Sequence, residues 1–148
     1  MLKNPFVKIV LFIFGGALVL FGLIQLVPYG RNHTNPPVVQ EPNWSSPEVR
    51  ALAQRACFDC HSNETVYPWY SNIAPVSWLV QHDIEEGRSK LNFSDWGRSR
   101  EKDGDEIAEV ILEGEMPPTI YLLQHPEARL TEAERALLIE GLLALGER

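Results

Sequence analysis

The two cysteines of the chain stand in the pentad Cys57-Phe58-Asp59-Cys60-His61, and there are no others. Two thiols three positions apart with an imidazole directly behind the second fit four chemistries: a disulfide, a thioredoxin-like dithiol, a zinc site, or the thioether attachment of a c-type haem. A disulfide here closes only a tiny loop and removes little chain entropy. The dithiol motif belongs at the start of a helix in a β-α-β setting, whereas here a helical pattern runs up to the pair. Structural zinc takes four tetrahedral ligands, usually as two separated pairs, and no second pair exists. The haem reading uses every residue. Two thiols one helical turn apart can add to the two vinyl groups of protoporphyrin, and His61 then offers its imidazole to the iron. One covalent haem c is the expected cofactor.

A sixth ligand has few sources. Of two methionines one is the initiator, and the other, Met116, lies in Gly114-Glu115-Met116-Pro117-Pro118. Its thioether is a soft ligand, and His/Met coordination raises the reduction potential of haem. The two prolines lack amide donors and stiffen the backbone that would present it. A lone methionine can equally be a core filler. His82, within a helical pattern, and His125, before a proline, are the competing ligands.

The elements that position these residues begin with a span. Ile9 to Val27 carries no charge and a single polar residue, Gln25. As a helix it covers about 28 Å, close to the ~30 Å hydrocarbon core of a bilayer. No pair of small residues marks a cleavage site after it, so an uncleaved anchor is favoured over a signal peptide. Lys3 and Lys8 precede it, which favours a cytoplasmic N-terminus (1–8), a span at 9–27 and an exported remainder. Covalent haem attachment on the outer side of bacterial membranes agrees with that topology. Beyond Arg31 the chain has a net charge of −10, a surface unsuited to nucleic acid. It is read as a solvated acidic face, with a basic redox partner as the docking alternative.

Residues 28–46 are rich in Pro and Asn and read as an extended tether, reaching roughly 50–60 Å at ~3.1 Å per residue. His33 within it is expected to be solvated. The domain at 47–148 opens on a helix capped by Ser46 with Pro47 at its first position and Val49, Leu52, Ala53 and Ala56 on one face. Further helices are expected from Pro75 to about Glu86, stopped by Gly87, and from about Gly104 to Glu113. Thr131 and Glu134 form a capping box for the last, whose apolar face is Leu130, Leu137, Leu138, Leu142 and Leu145. No segment alternates with period two, so the expected fold class is all-α, with long connections around a central group.

The stretch from Cys57 to Trp96, with Gly-Glu-Met-Pro-Pro after it, resembles the bacterial haem-binding domain family. Cys-x-x-Cys-His-Ser-Asn-x-Thr-x-Tyr-Pro-Trp-Tyr, Ala-Pro-Val-Ser-Trp and Gly-Arg-x-x-x-Asn-Phe-Ser-x-Trp occur in that order. More broadly the domain looks like a class I cytochrome c. The resemblance implies that Cys57 and Cys60 attach haem, that His61 is the proximal and Met116 the distal iron ligand, and that the first and last domain helices cross at Ala53 and Gly141. It also implies that Tyr67, Trp69, Tyr70, Trp78, Asn92, Phe93 and Trp96 line or rim the pocket, with Arg88 among the donors for the propionates. The expected function is one-electron transfer by a membrane-tethered carrier, with redox proteins or membrane respiratory components as partners and no catalysis. A sensor or peroxidase-like protein with a displaceable sixth ligand, or a haem subunit of a larger membrane assembly, is the alternative.

Overall fold

Helices account for all the regular structure among the described residues. The computed structural model describes residues 4–98 and 104–146, and Lys3, counted above towards the orientation of the span, lies outside them. The helices are α1 (Pro5–Ile24), α2 (Pro47–Ala56), α3 (Phe58–His61), α4 (Val76–Lys90), α5 (Gly104–Leu112), α6 (Thr119–Gln124) and α7 (Glu132–Gly146). Among the described residues, β pairing is limited to a single bridge between Gln40 and Asp95. The all-helical expectation therefore holds. The chain divides into two compact units, Met1–His33 with Tyr67–His82, and Thr34–Val66 with Asp83–Arg148.

In the first unit, Asn4 caps α1 by accepting the Phe6 amide at 3.0 Å. The helix has a mean hydropathy of 2.6 and no buried residue, and is long and apolar enough to cross a membrane. It begins four residues before the expected span and ends three before it. Gln25 at its end is used as a clasp: its amide nitrogen donates to the Ala74 carbonyl at 2.9 Å and its oxygen accepts the Ala74 amide at 3.0 Å. Gly30, at φ +76°, lies so close to the Ser77 carbonyl that no side chain fits. His33, expected to be solvated, is instead stacked on Tyr67 at 4.3 Å, with Nε2 3.2 Å from the Gly30 carbonyl and 3.3 Å from that of Ser71. An exposed proline-rich tether gave no sign of that long-range stacking.

The second unit is built on α2, α5 and α7. Ser46 accepts the Val49 amide at 3.2 Å, and the α2 face Val49, Leu52, Ala53 and Ala56 is buried as its spacing requires. Leu138, Leu142 and Leu145 of α7 and Ile107 and Ile111 of α5 complete an aliphatic core, which Phe58 and Phe93 extend. Helices α2 and α7 cross closely because Gly141 has no side chain; a Cβ there would lie 2.5 Å from Val49 Cγ1. The extended chain before α2 is bound into this unit. Asn35 donates to the Thr65 carbonyl at 2.9 Å, Asn63 to that of Pro37 at 2.8 Å, and the Val39 amide to that of Ser94 at 2.8 Å.

The capping box forms as expected: the Thr131 amide donates to Glu134 at 2.8 Å and the Glu134 amide to Thr131 Oγ1 at 3.2 Å. Arg55 of α2 adds an ion pair to Glu134 at 2.6 Å. The Thr131 amide first, then Arg55, hold the Glu134 carboxyl down to about 2 from an ordinary 4.5. A depressed carboxylate stabilises the fold above its unfolded pKa and loses that contribution as pH falls through the folded one. Glu134→Gln should therefore flatten the part of the stability profile between about pH 4.5 and about 2, checked by denaturant midpoints across that range.

Candidate functional site

Helix α2 breaks at Cys57, where the backbone turns to φ −128°, and a single further turn carries Cys60 and His61. The Cys57 carbonyl accepts the Cys60 amide at 3.2 Å and the His61 amide at 2.9 Å, so the two thiols stand three positions apart on one turn. Both cysteines are free and half-buried. Burial pushes the Cys57 thiol up to about 12, and burial with the negative charges of Asp83 and Asp59 does the same to Cys60. A redox dithiol needs the opposite, a cysteine depressed towards thiolate. Nor do three or more His, Cys, Asp or Glu side chains among the described residues gather where they could hold a bare metal ion.

His61 is oriented from behind. Its Nδ1 lies 3.1 Å from the Gly87 carbonyl and 3.2 Å from that of Leu91. Carbonyls only accept, so Nδ1 carries the hydrogen and Nε2 the lone pair, which is how a metal-binding imidazole is usually fixed. The expected stop at Gly87 is overturned, since α4 continues through it to Lys90. The glycine is there for close approach: a Cβ on it would lie 2.5 Å from the Cys60 carbonyl oxygen and 3.0 Å from Cys60 C and Cβ.

A polar scaffold wraps the turn. Arg88 donates from Nε to the Ser62 carbonyl at 2.7 Å and from Nη2 to Asn35 Oδ1 and Thr65 Oγ1, both at 3.0 Å. Asn92 donates to Asn63 Oδ1 at 3.1 Å and accepts the Ser94 amide at 2.9 Å, while Ser94 Oγ accepts the Asn63 amide at 2.9 Å. Trp96 stacks on Phe93 at 5.9 Å with planes 5° apart. Asp59, between the cysteines, is held as firmly. Its carboxylate accepts the Val66 amide at 2.9 Å and the Tyr121 hydroxyl at 2.8 Å. Burial and that carboxylate push the Tyr121 hydroxyl well above its ordinary range.

Met116 follows α5 in a loop closed by Gly114 at φ +76°, where the Glu115 and Met116 amides both donate to the Val110 carbonyl at 3.0 and 3.1 Å. The methionine is 38% exposed, and Leu112, Ile120 and Leu123 on the flanking helices are each 66% exposed. A thioether amid uncovered apolar side chains is a surface that an apolar ligand can cover. His125, the competing ligand in this unit, is stacked on Tyr121 at 4.2 Å with Nδ1 3.2 Å from Glu127. The other, His82, is an exposed residue of α4 in the first unit.

A family model described as a haem-binding domain matches residues 19–144. The chain belongs to the haem-binding domain family. No curated protein and no solved structure matches it.

The haem-binding domain therefore binds haem, and its residues fit that group. Two thiols and a tautomer-fixed imidazole on one turn, with a thioether available in the same unit, are the donor set such a group takes. Among the implied pocket residues, Arg88, Asn92 and Trp96 lie in the second unit with the turn, and the first two are drawn into its scaffold. Tyr67, Trp69, Tyr70 and Trp78 lie in the first unit. There Trp69 is largely exposed and edge-on to Tyr70 at 5.8 Å. The Trp78 indole nitrogen is buried without a hydrogen-bond partner among the described residues, and such a donor calls for an acceptor. Three contributors escaped the sequence reading. Gly87 is expected only to stop a helix, while Asp59 and Tyr121 carry no expected role, although Pro117 and Pro118 before Tyr121 are a helix-start signal.

Proposed function

We propose that the protein is a membrane-anchored c-type cytochrome that carries one covalent haem and passes single electrons at the outer face of the cytoplasmic membrane. The observation that carries this reading is the Cys57–His61 turn with His61 Nδ1 held by two backbone carbonyls. Cys57 and Cys60 would hold the haem by adding S–H across its two vinyl double bonds, the sulfur to one carbon and the hydrogen to the other. His61 would offer its Nε2 and Met116 its sulfur to the iron. The bound haem supplies a one-electron ferrous–ferric couple. The chain's own part is to fix both axial donors, so that little rearrangement accompanies the change of charge. Helix α1 is the anchor, with Lys8 on the cytoplasmic side. The acidic surface, including Glu109 exposed on α5 and Glu113 exposed just after it, suits a basic redox protein or a membrane respiratory component.

The test is the optical spectrum of the chain made in a haem-maturing host, alongside Met116→Ala. The parent should be low-spin and six-coordinate, with a sulfur-to-iron charge-transfer band when oxidised. The variant should lose that band and drop in potential by on the order of 0.1 V, a fraction of the ~0.8 V that axial ligation commands. A low-spin spectrum that lacks the band in the parent and is unchanged by the substitution would transfer the distal role to His82 or His125. A parent that is high-spin and takes up carbon monoxide readily would favour a sensor over a carrier.

A further inference from the structure

The Met116 loop lacks packing of its own. Helix α6, which follows it directly, buries no residue and has no side-chain cap at its N-terminus. Upstream the loop is fastened by the α5 terminus, where two amides share the Val110 carbonyl. Downstream it has only Pro117 and Pro118, which have no amide hydrogen to donate. The hold on α6 is polar. Tyr121, half-buried, donates its hydroxyl to Asp59 Oδ2 at 2.8 Å, and Arg129 donates to the Leu122 carbonyl at 3.3 Å. The Tyr121–Asp59 bond is charge-assisted and so about twice as strong as a neutral one. It also reaches a residue that lies between the two cysteines.

We infer that Tyr121 is a positioning residue for the distal ligand: its hydroxyl, bonded to Asp59, fastens the arm that carries Met116 to the turn that carries Cys57, Cys60 and His61. Both ends of the bond have further partners. The Asp59 carboxylate is fixed by the Val66 amide and its carbonyl by Thr65 Oγ1 at 2.7 Å. The Tyr121 ring is fixed by His125, stacked with planes 10° apart. From Tyr121 back to Met116 the chain is one helical turn and two prolines, so little freedom separates the hydroxyl from the sulfur. Release of the hydroxyl lets the arm swing and uncovers the sixth coordination position, while the aliphatic core, made by other residues, stays in place.

This rests on Met116 as the distal ligand, and the experiment separates the two claims. The full-length holoprotein is compared as wild type, Tyr121→Phe, Asp59→Asn, the double variant and Met116→Ala. The measurements are the charge-transfer band and carbon monoxide uptake by the reduced protein. Tyr121→Phe removes one oxygen and keeps the stacked ring. It should weaken the band and raise carbon monoxide uptake about tenfold, the equilibrium weight of one lost charge-assisted bond. Asp59→Asn should act in the same direction. The double variant should go little further than Tyr121→Phe, because both changes break one bond, whereas independent structural effects would add. If Met116→Ala loses the band while Tyr121→Phe matches the wild type in both measurements, the positioning role is wrong and the ligand assignment stands. Independent addition of the two substitutions overturns it as well. If Met116→Ala keeps the band, both fail together.

Discussion

With Cys57 and Cys60 both changed to serine, the protein should leave a haem-maturing host with no haem that survives denaturation. The chain has no other thiol to take over, so the covalent fraction should fall from essentially all to none. Serine is nearly isosteric, and the turn is held by the Cys57 carbonyl and by the backbone acceptors of His61, none of which uses a sulfur. Helix content should therefore persist in circular dichroism, which separates loss of attachment from loss of fold. A hydroxyl does not add across the vinyl groups as a thiol does, so His61 would be left with at most an exchangeable haem. Each single serine variant should keep one thioether and give a spectrum between those of free-vinyl and fully saturated haem. Covalent haem persisting in the double variant would remove the attachment chemistry, whatever the iron ligands prove to be.

Local patterns carried much of this architecture. The capped ends of α2 and α7 are set by spacings within one helix, and so are the α2 face from Val49 to Ala56 and Leu138, Leu142 and Leu145 of α7, which are buried as those spacings require, while Leu130 and Leu137 are half-buried. The Cys57–His61 turn is legible for the same reason, since five adjacent residues contain all its donors. What was hidden depends on contacts between distant segments. His33 stacks on Tyr67, 34 positions away, in a stretch whose composition signals only extension. Arg88, implied as a propionate donor, also donates Nε to Ser62 and Nη2 to Asn35 and Thr65. Its motif partners Asn92 and Ser94 likewise bind Asn63. The Ser-Asn-x-Thr and Gly-Arg-x-x-x-Asn-Phe-Ser stretches are thus two halves of one hydrogen-bonded collar around the turn. A sequence shows the halves but not that they meet.

Gly87 gives the sharpest contrast between local propensity and packing, and Gly87→Ala the second large effect. The residue lies inside α4, where alanine in place of glycine ordinarily gains up to about 1 kcal/mol of helix stability. Here the new Cβ would sit 2.5 Å from the Cys60 carbonyl oxygen and 3.0 Å from Cys60 C. Both are backbone atoms that cannot rotate aside, and the neighbouring chain is pinned by the Phe93 amide on the His61 carbonyl at 2.8 Å. Overpacking of this kind costs about 1–3 kcal/mol, enough to cancel the propensity gain and leave the variant less stable. Relief by separating α4 from the turn would also draw the Gly87 carbonyl away from His61 Nδ1, loosening the imidazole that the iron needs held. Gly87→Ala should therefore lower the denaturant midpoint and broaden or shift the haem spectrum, and Gly87→Val should do both more severely. Ser89→Ala, at an exposed site two residues further along the same helix, supplies the comparison, because it changes propensity without adding bulk against the turn. Should Gly87→Ala prove as stable as the parent with an unchanged spectrum, the tight seating of α4 on the Cys57–His61 turn would be wrong, and with it the reason His61 presents Nε2.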